Sequence, residues 1–304
     1  MNANELCSYV RELGSLPDGR FSDAELLQFA DQETLMITRD VISVRQDFLV
    51  EQVSATLPSP TTNGYRIPPR AIGGKVRDVV VQSAIGGASS PGNYVAVPRI
   101  DMSDRYSNPV GYYYTGNFIQ FWNVTPAAAG NGSVILINYY ARPGQLMLTG
   151  SALRVTSVDT VNGAITGSGA SMTGVLSLDV TKGTTGFESV LYNKTTYTPF
   201  GLTVGGMGGD VASVEVGDWV SPSGYSPVPQ LPIDFHQILA QRVIVKCLES
   251  IGDNEGFQRA QSKATEMQNA ALTLIAERDD GTPEKLRLDV FSPWIRNNRW
   301  VWPR

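Results

Sequence analysis

His236 is the only histidine of the chain. An imidazole serves as a general base near neutral pH when a carboxylate orients it and a hydroxyl, thiol or water lies within reach. Its surroundings read Pro227-Val228-Pro229-Gln230-Leu231-Pro232-Ile233-Asp234-Phe235-His236-Gln237-Ile238-Leu239. No second histidine and no cysteine is close by, so no dyad forms locally. The prolines hold the approach extended, because proline disfavours helix in the residue before it. Asp234 stands where it could cap the helix that follows or complement its dipole. His236 then falls in the first turn, where the dipole disfavours an imidazolium. The stretch therefore predicts a rigid entry into a buried helix, with a neutral, structural His236.

The other reactive residues are equally sparse. Cys7 and Cys247 lie far apart, each in a helical pattern, and are expected as buried free thiols rather than a zinc or redox pair. Asp101 and Asp104, near Tyr106, would make a glycosidase-like pair only at the required carboxylate separation, and a solvated loop is the expectation. The run Tyr112-Tyr113-Tyr114 could stack a sugar, but alternate strand residues face opposite sides, which favours core or interface. Gly205-Gly206-Met207-Gly208-Gly209-Asp210 does not fit a dinucleotide fingerprint and reads as a turn. No phosphate-binding loop, nucleophile elbow or paired-histidine zinc motif occurs. No catalytic, cofactor-binding or metal residue is expected, and no cofactor.

Composition sets wider limits. Over 304 residues, 42% are hydrophobic and only 17% charged. So low a charged share suggests that surface is covered, most simply by other copies. The net charge of -5 gives no overall attraction to nucleic acid or to an anionic membrane. The start, MNANELCSYVRELG, lacks the basic and apolar regions of a signal peptide, and no apolar run is long enough to span a bilayer. Synthesis in a reducing cytoplasm is expected.

The elements that position these residues fall into three kinds. Asn4 to about Gln52 reads as helix, with a break at Gly14, and Ser22 or Asp23 capping a second helix that has Glu25 in its first turn. Leu27, Ala30, Thr34, Ile37, Val41, Val44 and Phe48 form its apolar stripe. β-branched residues after Ile37 leave open an earlier end and a turn to strand. From Ser54 to Leu231 the pattern is β. Val76–Val81, Gly111–Tyr114, Phe118–Trp122 and Val134–Tyr140 are predicted strands, with Gly116 and Asn117 as a two-residue hairpin turn. A second β section has runs at 153–158, 175–180, 211–216 and 218–220, joined by connections such as Thr166–Ser171. From Pro232 to about Glu277 helix returns. Ile238, Leu239, Val243, Ile244, Val245, Cys247, Leu248 and Ile251 make the first helix there nearly all apolar. Past Gly252-Asp253-Asn254 the next carries Phe257, Ala260, Ala264, Met267, Ala271 and Leu274. The thin stripe of Ala260, Ala264, Met267 and Ala271 predicts close helix packing.

The fold class expected is α+β. Helical N- and C-terminal segments pack as a bundle, around a β-rich middle (sandwich or barrel) with a second inserted β section. The divisions are 1–53, 54–150, 151–230, 231–278 and a C-terminal arm, 279–304.

This order of parts resembles the head-to-tail adaptor (connector) proteins of tailed bacteriophages. The likeness rests on Leu231-Pro232-Ile233-Asp234-Phe235-His236 opening a buried helix, the Gly252-Asp253 break, and Ala264, Glu266 and Met267 in the last helix. Leu13-Gly14-Ser15-Leu16-Pro17 followed by Phe21–Leu27, and Tyr65–Asp78 with Arg70 and Lys75, also look like the family. The second β section departs from small helical adaptors. The resemblance implies a ring of about twelve copies beneath the portal protein, joined below to a tail or nozzle protein. Such a virion protein sits at the head–tail junction, where DNA passes without sequence-specific binding, and contacts no membrane. Low charge suits buried ring interfaces. A competing reading is a receptor- or carbohydrate-binding β protein of a phage tail.

The segment 279–304 combines Phe291, Trp294, Trp300 and Trp302 with Arg296, Arg299 and Arg304. Tryptophan and arginine are enriched at interface hot spots. Packing back on its own subunit is one reading. The preferred one is an arm that reaches a neighbouring subunit or the portal through Phe291, Trp294, Arg296, Arg299, Trp300 and Trp302, as the resemblance implies.

Overall fold

The structure is a computed structural model that describes residues 1–276, except 18, 46–47, 57–63, 83–93, 108–109, 125–133, 162–163, 173–174, 176, 184–185, 196–197, 201–202 and 206–213. The fold is α+β, with helices at both ends and a β-rich middle.

Four helices form one core. Helix α1 (Ala3–Gly14) starts with a capping box: the Asn2 side chain accepts from the Glu5 N–H, and the Glu5 carboxylate from the Asn2 N–H, both at 2.9 Å. Helix α2 (Asp23–Val44) starts the same way on Ser22 and Glu25. Helix α3 (Phe235–Ile251) ends on Gly252, whose φ of +83° closes the helix in the left-handed region. Asp253 then caps α4 (Asn254–Ile275) by accepting from the Gly256 N–H. Leu6, Val10, Leu26, Ile37, Val41, Phe235, Leu239, Val243 and Cys247 meet in a single cluster, so residues from both chain ends share one core.

The predicted helices need four corrections. Phe48 is buried but lies beyond the end of α2, which stops at Val44. The chain there turns into a strand, as β-branched residues favour. Asp234 does not cap α3 with its side chain. Its φ of -64° and ψ of -25° are already helical, whereas an N-cap residue needs extended backbone. Ile251 and Leu274 are exposed, Leu274 by 71%: the stripe of α3 stops short of its end, and that of α4 runs from Ala271 to the half-buried Ile275 rather than to Leu274.

The first β section has two antiparallel sheets. One contains β1 (Val50–Thr56), β3 (Ala71–Gln82), β4 (Tyr94–Val97) and β7 (Val134–Ala141), in the order β1-β7-β3-β4. The other contains β2 (Tyr65–Arg66), β5 (Gly111–Thr115) and β6 (Phe118–Trp122), in the order β2-β6-β5. Val79, Ile135 and Ile137 of the first sheet share a core with Ile67, Tyr112 and Ile119 beside the second. The β5–β6 turn is Gly116-Asn117. Only Gly116 takes a positive φ, so the turn is not the type with two left-handed residues.

Two short strands, β8 (Gln145–Leu146) and β16 (Tyr225–Ser226), pair in parallel where the chain enters and leaves the second β section. Between them lies a seven-stranded antiparallel sheet. Its strands are β9 (Leu153–Asp159), β10 (Ala164–Gly169), β11 (Ser177–Lys182), β12 (Gly186–Thr195), β13 (Thr198–Phe200), β14 (Thr203–Gly205) and β15 (Trp219–Pro222), in the order β12-β11-β15-β9-β10-β14-β13. Leu153, Val155, Ile165, Leu178, Val180 and Val220 are its core. Two expectations fail in this section. Thr166–Gly169, read as a connection, belongs to β10, which β9 and β14 hold on either side. Val214–Val216, read as strand, lies outside the strands.

Candidate functional site

The proline-rich stretch around His236 ties three parts of the molecule together. The Pro227 carbonyl accepts from the Ala3 N–H at 2.8 Å, which joins the stretch to the start of α1. Gln230, 1% exposed, accepts from the Gly144 N–H at 2.6 Å, next to β8. Asp31 of α2 accepts from the Leu146 N–H at 2.6 Å, and Asn4 of α1 from the Thr149 N–H at 3.0 Å. The neck of the second β section is therefore fastened to the helices through backbone amides. Burial pushes the Asp31 carboxyl up to about 6, against the lowering effect of the Leu146 N–H.

His236 is 6% exposed within this junction. Its Nε2 lies 3.1 Å from the Leu231 carbonyl oxygen and its Nδ1 3.3 Å from the amino nitrogen of Met1. The carbonyl requires a donor, so the proton sits on Nε2, and Nδ1 accepts from the ammonium. Burial first, and the Met1 charge second, pull the imidazole pKa down to about 4. The neutrality expected from the helix dipole has these two causes instead. A neutral ring with both nitrogens engaged by a carbonyl and an ammonium is a structural clasp.

The other sequence candidates are scattered. Cys7 and Cys247 are buried and free, with burial pushing both thiols up to about 11, which keeps them protonated. Asp101 is exposed just before a short 3-10 helix, Ser103–Tyr106, and Asp104 is exposed within it. Tyr112 is buried and meets Tyr114 edge to face at 5.8 Å on one side of β5. Tyr106 is 76% exposed and stands edge-on to Trp122 at 5.6 Å. Ala260, Ala264 and Ala271 are buried at 5–7% in the helical core, and Met267 packs against it half-buried. Among the described residues, no group of three or more His, Cys, Asp or Glu could hold a metal ion. Likewise, among the described residues no helix is long and apolar enough to cross a membrane. Phe291, Trp294, Arg296, Arg299, Trp300 and Trp302, and the glycine run 206–209, lie outside the described residues.

Two polar networks escaped the sequence reading. Arg242 of α3 pairs with Glu33 of α2 at 3.0 Å and with Gln268 of α4, which in turn donates to Asp40 of α2 at 2.6 Å. Arg70, in the segment before β3, pairs with Asp179 of β11, which is fully buried and also accepts from the Gly224 N–H at 2.8 Å. The second pair links the two β sections. Arg70 lies in the Tyr65–Asp78 segment, where nothing local points to a partner so far along the chain.

No protein-family profile matches the chain, and no curated protein matches it.

Proposed function

We propose that this chain is a structural virion protein that forms a head-to-tail adaptor ring beneath a phage portal. The observation that supports the reading is the helical core built from both chain ends and clamped to the neck of the β sections around Pro227–His236. A part that joins two large assemblies needs one rigid body from which separate surfaces project, and this junction supplies it. In this reading about twelve copies surround the DNA path, the portal and a tail or nozzle protein are the two partners, and no chemistry is performed. The arm 279–304 anchors the subunit to a neighbour or to the portal.

Truncation after Asp289, together with solution mass, tests this. The shortened chain is expected to fold with near-normal stability yet fail to join portal-containing heads, whereas the full chain joins them as a ring. A truncated chain that is unstable on its own sinks the anchor, and a full chain that never associates with portals sinks the adaptor reading. The exposed Tyr106 edge-on to Trp122 supports a second reading, a receptor- or carbohydrate-binding phage tail protein. Binding to host-surface polysaccharide that is lost in Tyr106→Ala favours that reading over the first.

A further inference from the structure

Where α2 ends against β3 and β7 there is a groove of about 510 Å³ with Arg39, Lys75 and Arg77 on its walls and no acidic residue lining it. A chain of net charge -5 that gathers three cations at one concave place has a local field opposite to its overall one. The described neighbours do not neutralise it. Arg39 has only a 3.8 Å contact to the Met36 sulfur, and Lys75 lies over the Tyr140 ring at 5.4 Å. Arg77 alone has an acid near, Asp78 at 3.7 Å. The carbonyl end of α2 offsets the equivalent of about half an elementary charge. More than one full positive charge is left over.

The strand that carries two of these cations is built irregularly at this place. Between Ala71 and Val76, β3 advances five residues while β7 advances two, and between Val76 and Asp78 it advances two against one. Gly73 and Gly74 take φ of +57° and +69° to make the first departure. Bulges re-aim side chains, and here they bracket Lys75 and Arg77. Ile42 and Ile72 also line the groove.

We propose that this groove binds phosphate oxyanions, taken from a nucleic-acid backbone or from a soluble nucleotide. Phosphate offers several acceptor oxygens to an arginine fork, and successive phosphates or a polyphosphate bring more charge than a lone carboxylate. The contacts are to phosphate alone, so binding is independent of base sequence. This inference stands apart from the ring reading.

The test is fluorescence anisotropy of the full chain with a short labelled single-stranded oligonucleotide at low salt, competed by pyrophosphate and by ATP. Arg39→Gln/Lys75→Gln/Arg77→Gln is expected to weaken binding by about tenfold or more. Lys263→Gln, on the exposed face of α4, leaves it unchanged, and melting of both variants stays near that of the parent. The log–log salt slope for two to three phosphates is about -1.4 to -2.1. Competition by pyrophosphate and ATP at the oligonucleotide's own affinity identifies soluble phosphate as the source, and poor competition identifies the backbone. Absence of binding at low salt, equal binding by the triple variant, or tighter binding of an oligoglutamate peptide overturns the proposal.

Discussion

The imidazole Nδ1 of His236 lies 3.3 Å from the amino nitrogen of Met1, so the only histidine of the chain faces a cation on one side and the Leu231 carbonyl on the other. Burial and the Met1 charge favour the neutral ring, and outweigh the Leu231 carbonyl, which favours the protonated one. With a folded pKa of about 4 against an ordinary 6.5, the unfolded chain takes up the proton first. Stability from this group is therefore fully present above pH 6.5 and is lost as pH falls through 4. The size is roughly 3 kcal/mol at most. Denaturant unfolding at several pH values should show this loss in the parent and a flatter profile in His236→Asn. An unchanged slope in the variant would mean that other groups carry the acid sensitivity.

Asp31 has the opposite sign. Its folded pKa of about 6 exceeds the ordinary 3.8, so the buried charge opposes folding more as pH rises from 3.8 through 6. Asp31→Asn keeps an oxygen to accept from the Leu146 N–H and removes the charge. The variant is expected to be more stable than the parent at pH 7, with the difference fading toward pH 4. Asp31→Ala, which leaves that N–H without its acceptor, should instead cost about 1–3 kcal/mol. Thermal melts across that range check both, and a destabilised Asn variant at pH 7 would contradict the burial argument.

Ala264 is 5% exposed where α4 joins the helical core. Ala264→Leu adds volume where α4 packs on the core, and it should cost about 1–3 kcal/mol unless the added methyls turn into the groove of about 340 Å³ that Ala264 also lines. Urea unfolding measures this directly. A midpoint equal to that of the parent would show that the space beside α4 accepts a larger side chain.

What the sequence made legible was local. The start of α2 at Ser22 or Asp23, the Gly252 stop and the buried face of α3 each depend on residues a few positions apart and could be read from spacing, whereas the choice of Ser22 and its reciprocal bond with Glu25 came from the structure. β10 could not, because its Gly and Ser content gives no strand pattern, and it is held by β9 and β14 instead. Asp31 to Leu146 spans 115 positions and Arg70 to Asp179 spans 109, so no motif could reveal either contact. The junction around Pro227–His236 was half visible for the same reason. The stiff Pro227–Pro232 approach was plain, but the parts it fastens are brought there only by the tertiary fold. The groove at Arg39, Lys75 and Arg77 unites a helix end with a bulged strand and had no signal beyond the glycine pair before Lys75.

The pair Arg70–Asp179 gives the sharpest test of how the two β sections are joined. Asp179 is fully buried and the Arg70 side chain is 12% exposed, so each charge has lost most of its water. Removing one partner deprives the other of the opposite charge it is buried against, and leaves Arg70 only contacts such as the Arg142 carbonyl at 3.4 Å or Asp179 only donors such as the Gly224 N–H. Asp179→Ala or Arg70→Ala is therefore expected to destabilise by about 3–5 kcal/mol, more than any surface ion pair. Replacing both is different, since Arg70→Met/Asp179→Leu removes both desolvated charges at once and fills the space. A double variant should recover most of the loss, although the Gly224 N–H, which donates to Asp179, then loses its acceptor and keeps part of the cost. The coupling from a double-mutant cycle measures the link itself. If both single variants unfold like the parent, the two β sections are held by something other than this pair. If the double variant is worse than either single one, the role of Asp179 is to organise the Gly224 turn rather than to pair with Arg70.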